Sequence, residues 1–105
     1  MKIDVGEKEY ILGYPTRKDA VNAETNGLDI TNAGKVLSLS ETLFYTGLLA
    51  KQPKITREES IEILEKYLEE GGELEEITQF LISEYTAFIK SPDGIKKKKA
   101  KIVEI

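Results

Sequence analysis

The sequence contains no cysteine, no histidine and no tryptophan among its 105 residues. Without cysteine, the chain can form neither a disulfide nor a thiolate metal site. Without histidine, it lacks the commonest general base, the commonest zinc ligand and any Ser–His or Cys–His catalytic pair. Catalysis would have to rely on Asp, Glu, Lys or Tyr alone. The composition therefore predicts a protein that is not an enzyme and that holds no metal or cofactor.

Long apolar runs and targeting signals are also missing. No stretch approaches the roughly 20 apolar residues of a membrane span, and residues 1–10 lack the apolar core of a signal peptide. A chain with 40% hydrophobic residues, 32% charged residues and a net charge of −4 suits one acidic globular domain. We expect a cytoplasmic protein that does not bind membranes.

The residue pattern predicts an α+β fold, mostly helical, with an N-terminal β-hairpin followed by about four helices. In Met1–Leu12, apolar residues alternate with charged ones on both sides of a turn at Gly6. The predicted helices run from Arg17 to about Asn26, from Ser38 or Ser40 to Lys51, from Arg57 to Glu70, and from Glu73 to Lys90. The short glycine link after the third helix predicts that the last two helices form an antiparallel helical hairpin.

Capping residues set several of these expected helix limits. Thr16 with Asp19 and Thr56 with Glu59 have the spacing of N-terminal capping boxes. Gly27 follows the first helix and can supply the left-handed conformation that ends a helix. The helix limits are therefore best defined where such residues occur.

The C-terminal residues differ in composition from the rest. Residues 1–90 are expected to form a single globular domain, and residues 91–105 either a basic C-terminal tail or a late strand added to the hairpin. This segment contains five lysines: Lys96, Lys97, Lys98, Lys99 and Lys101. A lysine run can attract nucleic acid, but the chain is acidic and no aromatic residue interleaves these lysines. We expect no nucleic-acid binding; the lysines form a solubilising tail or contact a protein partner.

Glutamates are concentrated between residues 57 and 76. Several fall in first helical turns, where the helix dipole favours them, and Glu62 is spaced to pair with Lys66. No Asp-x-Asp loop suggests a calcium site and no Glu-x-x-His pair suggests a di-iron site. The glutamates indicate a solvated face, or an acidic docking face for a basic partner.

The second and fourth helices carry more apolar residues than one narrow buried stripe requires. Part of this surface is expected to be covered by another copy of the chain or by another protein. The candidate partner-binding residues are Phe44, Leu48, Tyr85 and Phe88. Core packing is the alternative interpretation, in which charged substitutions at these positions would unfold the domain.

The order of several segments resembles a known family. Residues 14–21, Tyr-Pro-Thr-Arg-Lys-Asp-Ala-Val, lead to a Glu-x-Asn-Gly helix end at 24–27. A Phe- and Leu-rich segment at 43–50 comes next, and a Glu-rich helical pair follows at 61–85. This arrangement is similar to that of the tail assembly chaperones of long-tailed phages of Gram-positive bacteria, over about residues 3–90.

The resemblance implies a non-catalytic chaperone that binds the phage tape measure protein and keeps it soluble while tail tube protein subunits polymerise around it. It also implies a place in the cytoplasm of the bacterial host and absence from the mature virion. Many members are made in two forms by ribosomal frameshifting, and the lysine codons of the tail would supply an A-rich run for such a site. Two alternatives stay open: a structural or connector protein of the phage particle, and a regulatory module that binds a host protein.

Overall fold

The computed structural model describes residues 1–31 and 34–90 as a two-stranded hairpin followed by four helices. The elements are β1 (Lys2–Val5), β2 (Lys8–Ile11), α1 (Arg17–Thr25), α2 (Val36–Leu49), α3 (Arg57–Glu69) and α4 (Leu74–Lys90). The predicted α+β, mostly helical architecture is confirmed. The basic tail or late strand expected at residues 91–105 lies outside the described residues.

The hairpin turns one face of its two strands towards the core. β1 and β2 pair antiparallel, with Ile3 opposite Tyr10. Ile3 and Val5 are buried, as the alternating pattern predicts. Gly6 in the connecting turn has a φ of 64°, a backbone conformation that glycine adopts without steric cost.

Two sets of hydrogen bonds fix the end of the hairpin to the helical part. The backbone N–H of Ile11 donates to Oε1 of Gln52 at 3.2 Å, and Nε2 of Gln52 donates to the Ile11 carbonyl at 3.3 Å. The Gln52 amide thus takes the place of a neighbouring strand at the edge of β2. The second connection lies just after β2, where the N–H of Gly13 donates to the carbonyl of Gly47 in α2 at 3.0 Å.

The two predicted capping boxes are both present. The Asp19 N–H donates to the Thr16 side chain at 3.3 Å, and the Asp19 carboxylate accepts from the Thr16 N–H at 3.1 Å. Thr56 and Glu59 make the equivalent pair of bonds at the start of α3. Gly27, with a φ of 100°, ends α1 as expected.

The predicted start of α2 was wrong by at least two residues. The helix begins at Val36 and not at Ser38 or Ser40, and it ends at Leu49. Its N-cap residue, Lys35, makes no side-chain capping hydrogen bond. The local capping signal that marks the starts of α1 and α3 is therefore missing at the start of α2.

The predicted direct packing of the last two helices also needs correction. α3 and α4 follow one another through Gly71 and Gly72, but each packs mainly on α2 and they touch each other little. The Gly72 N–H donates to the Tyr67 carbonyl at 2.9 Å, and Gly71 has a φ of 100°, which together form a Schellman turn. α2 can receive both helices because it buries residues on several sides, including Thr42, Leu43, Phe44, Thr46 and Leu48.

The expected Glu62–Lys66 ion pair is not formed. Among residues 1–31 and 34–90, the single ion pair joins Lys2 to Glu9 across the hairpin at 3.6 Å. Lys66 instead extends towards the hairpin turn, where a Cβ added at Gly6 would lie 2.9 Å from its Nζ. An exposed pair within a helix contributes only a few tenths of a kcal/mol, so its loss costs about 0.3 kcal/mol.

Close approach of α2 to α4 occurs at Gly47. A Cβ at this position would lie 2.7 Å from Cδ2 of Leu81, which is shorter than real carbon contacts allow. Leu81 is fully buried, as are Leu43 and Leu48 on α2. The absence of a side chain at Gly47 therefore lets the two helices and the Gly13 backbone meet in the centre of the core.

Candidate protein-binding surface

Phe44 and Leu48, two of the residues predicted to bind a partner, belong to the core. Both side chains are 0% exposed. The expectation that they are free to contact another protein is therefore wrong for this structure. Their apolar character is used within the chain, because α2 lies against α1, α3 and α4 and is covered by all three.

Tyr85 is also buried, with 6% of its surface exposed, but its hydroxyl reaches the side of α1. There it donates a hydrogen bond to the carboxylate of Glu24. Burial of the phenol, and after it the Glu24 carboxylate, which accepts from the neutral form and repels the phenolate, together raise the pKa of Tyr85 from 10.0 to about 12. Tyr85 thus contributes to the lining of a groove between α1 and α4.

Tyr14 supports Tyr85 from inside the core, and the sequence pattern does not reveal this role. Its hydroxyl donates to the Leu43 carbonyl at 3.1 Å and lies 2.7 Å from Oγ1 of Thr46. The rings of Tyr14 and Tyr85 pack edge to face. Burial raises the pKa of Tyr14 above its ordinary range. Its position between Gly13 and Pro15 is typical of an exposed loop, so no local signal marks it as buried.

A groove with a mixed polar and apolar lining lies between α1 and α4, and it contains the fourth predicted residue, Phe88. Phe88 is half-buried, whereas Val21 is 43% exposed and Ile89 is 64% exposed. The groove has a volume of about 170 Å³. Its lining residues are Arg17, Ala20, Val21, Glu24, Tyr85, Phe88 and Ile89. The structure therefore brings Tyr85 and Phe88 together in one surface feature and leaves Phe44 and Leu48 outside it.

Where α1 lines this groove, a positively charged residue lies at one end and a negatively charged residue at the other. Arg17 lies in the first turn of α1 and Glu24 near its last residue. Arg17 is exposed and makes no side-chain hydrogen bond or ion pair in the part of the chain that the structure describes. Between them, Val21 presents an apolar side chain. The groove thus combines an apolar centre with a polar boundary, a composition common at protein interfaces.

A second exposed apolar pair lies at the start of α2. Val36 is 59% exposed and Leu37 is 72% exposed. Sequence reasoning missed both residues, because they precede the predicted start of the helix. The later residues of α2 turn inwards, so this pair is separate from the core packing of the helix.

The surface chemistry is mainly acidic. The whole chain has a net charge of −4 although five of its lysines lie beyond residue 90, so residues 1–90 are more acidic than the chain as a whole. No group of three or more acidic side chains able to hold a metal ion occurs within residues 1–31 and 34–90. No helix in these same residues is both long enough and apolar enough to cross a membrane.

Comparison with known proteins adds no family assignment. No protein-family model matches the chain, and no curated protein and no solved structure matches it. The resemblance to tail assembly chaperones therefore stays a prediction that depends on the residue pattern alone.

Proposed function

We propose that this chain is a non-catalytic protein-binding domain whose α1–α4 groove receives an apolar helix face of its partner. The observation that carries the proposal is the exposure of Val21 and Ile89 beside half-buried Phe88. Exposed apolar residues that adjoin one another and are bordered by charged residues are typical of surfaces that another protein covers.

The proposed partner is the phage tape measure protein, and the proposed role is that of a tail assembly chaperone in the cytoplasm of the bacterial host. The support is the resemblance of residues 14–27, which form α1 with its capping box and glycine stop. The resemblance implies a long, helical, aggregation-prone partner. Such a partner offers apolar helix faces, which bind in grooves through side chains spaced three and four residues apart.

The charge of the domain favours a partner segment that carries basic residues near its apolar face. Exposed glutamates occur along α3, in the link after it and in the first turn of α4. They are Glu58, Glu59, Glu62, Glu65, Glu69, Glu70, Glu73, Glu75 and Glu76. Their summed field would attract basic segments and accelerate encounter, while the apolar residues of the groove would supply most of the affinity.

Co-expression with the tape measure protein of the same phage tests the proposal. The wild-type chain should co-purify with the tape measure protein and keep it in the soluble fraction. Val21→Glu and Ile89→Glu place charges in the groove and should weaken binding by at least about tenfold. Lys18→Glu and Thr25→Glu are matched controls, because both residues are exposed on α1 outside the groove lining.

Equal binding by the groove and control variants would exclude the groove as the contact surface. Failure of the wild-type chain to bind the tape measure protein would exclude the chaperone role. Recovery of the chain from purified virions would instead support a connector protein of the particle. Thermal melts of each variant distinguish lost binding from lost folding, since substitutions at exposed positions change stability by only about 0.5 kcal/mol.

A further inference from the structure

We infer that the same α1–α4 surface binds a second copy of this chain, with the two α1 helices packed antiparallel about a twofold axis. The inference concerns the purified chain alone and does not depend on the identity of any other partner. It rests on the order of residues along one side of α1, which is positive, then apolar, then negative. When a second α1 runs in the opposite direction, each positive residue faces a negative one.

The α1 side of the groove carries Arg17, Val21 and Glu24 in succession. Arg17 and Glu24 are separated by about two helical turns, or roughly 10 Å along the axis. The midpoint between them falls at Ala20 and Val21. A twofold axis through that midpoint therefore places Arg17 of each copy opposite Glu24 of the other, which gives two identical ion pairs.

Both charged groups have capacity for such a pair. Glu24 uses Oε2 to accept from the Tyr85 hydroxyl, and Oε1 has no hydrogen-bond partner among the described residues. Arg17 likewise has no side-chain partner in the described part of the chain, unlike Arg57, which donates to Thr42 and lies over the Tyr45 ring. A guanidinium can therefore approach the remaining carboxylate oxygen without breaking an existing contact.

The centre of the surface is apolar. Val21, Phe88 and Ile89 from both copies would meet between the two ion pairs. An interface that uses the same surface twice is isologous and closes after two copies. The arrangement thus predicts a dimer and not an open filament.

This pairing would cover the groove that the proposed function assigns to the tape measure protein. Dimer and partner complex would then be mutually exclusive, and a partner helix would bind by separating the two copies. The effective affinity for that partner would fall as the concentration of the chain rises, because the dimer competes for the same surface.

Sedimentation equilibrium of the full chain tests the inference through charge reversal. The wild type should dimerise, and Arg17→Glu and Glu24→Arg should each weaken the dimer by at least about tenfold, because like charges then face each other. A mixture of the two variants should restore dimerisation as a heterodimer, since every facing pair again has opposite charges. The double variant Arg17→Glu/Glu24→Arg should dimerise for the same reason.

Two results would overturn the inference. One is a wild-type chain that stays monomeric over about a hundredfold range of concentration. The other is a mixture that dimerises no better than either single variant, provided that both variants fold by circular dichroism. Val21→Glu supplies an independent variant that keeps the Glu24–Tyr85 hydrogen bond and should also give a monomer; Lys18→Glu should leave the dimer unchanged.

Discussion

Tyr14 and Tyr85 pack edge to face, with ring centroids 6.2 Å apart and ring planes inclined by 70°. Tyr14 follows the hairpin and Tyr85 belongs to α4, so the contact joins distant parts of the chain. Edge-to-face aromatic pairs contribute about 1 kcal/mol beyond the burial of their surface. Because Tyr85 also bonds Glu24, this pair links the buried core to the lining of the α1–α4 groove.

Removal of the Tyr14 hydroxyl should destabilise the core. Tyr14→Phe keeps the ring contact with Tyr85 but leaves the Leu43 carbonyl without the hydroxyl that donates to it at 3.1 Å. The Leu43 carbonyl still accepts from Oγ1 of Thr46 at 3.3 Å, so the expected loss in the free energy of unfolding is about 0.5–1.5 kcal/mol, measured by urea denaturation. Tyr10→Phe is the matched control and should change stability by less than about 0.5 kcal/mol. Equal effects of the two substitutions would show that the buried hydrogen bond contributes nothing specific.

Alkaline pH should destabilise the fold through Tyr85. The pKa of Tyr85 rises from 10.0 to about 12 on folding, chiefly through burial and then through the Glu24 carboxylate. The stabilisation is fully present below pH 10, where the phenol is neutral in both states. It is lost as the pH rises towards 12, because the unfolded chain ionises first.

Titration of phenolate absorbance measures this shift directly. Glu24→Gln removes the negative charge beside the hydroxyl and should lower the pKa of Tyr85, while Tyr85→Phe identifies its part of the titration curve. The free energy of unfolding of Glu24→Gln should also fall less between pH 10 and pH 12 than that of the wild type. An unchanged pKa in Glu24→Gln would contradict the contact between the two side chains.

A charge placed at Leu48 should lower the stability of the fold far more than a charge placed at Ile89. Leu48→Asp introduces a carboxylate at a position with 0% exposure, which should cost several kcal/mol and unfold a domain whose total stability is about 5–10 kcal/mol. Ile89→Asp lies at a position that is 64% exposed and should change stability by less than about 0.5 kcal/mol. Thermal melts followed by circular dichroism compare the two. A folded Leu48→Asp variant would restore Leu48 as a candidate surface residue.

The parts of the fold that the sequence predicts well are those with short-range causes. The capping boxes at Thr16 and Thr56 and the stop at Gly27 involve residues within four positions of one another. The start of α2 has no such cause, since Lys35 makes no capping bond. Its first residues, Val36 and Leu37, are exposed, so neither a capping side chain nor a buried apolar residue marks this start in the sequence.

The candidate surface was predictable only in part for a similar reason. Helical spacing identifies an apolar stripe but does not show which element covers it. Phe44 and Leu48 are covered on all sides, whereas Phe88 stays at the edge of a groove. Val21 and Ile89 become surface candidates only once α1 and α4 are seen side by side. Tyr14 lies in a segment of loop-like composition, so its burial depends on contacts with Leu43 and Thr46.

The central position of α2 has a consequence for synthesis on the ribosome. The hairpin and α1 emerge before α2, but α3 and α4, which cover much of α2, emerge after it. Leu43, Phe44 and Leu48 therefore stay accessible to water until the last helix has left the exit tunnel, so the nascent chain presents its most apolar helix uncovered. Folding can be completed only after residue 90, and a ribosome stalled earlier would hold a chain prone to aggregation.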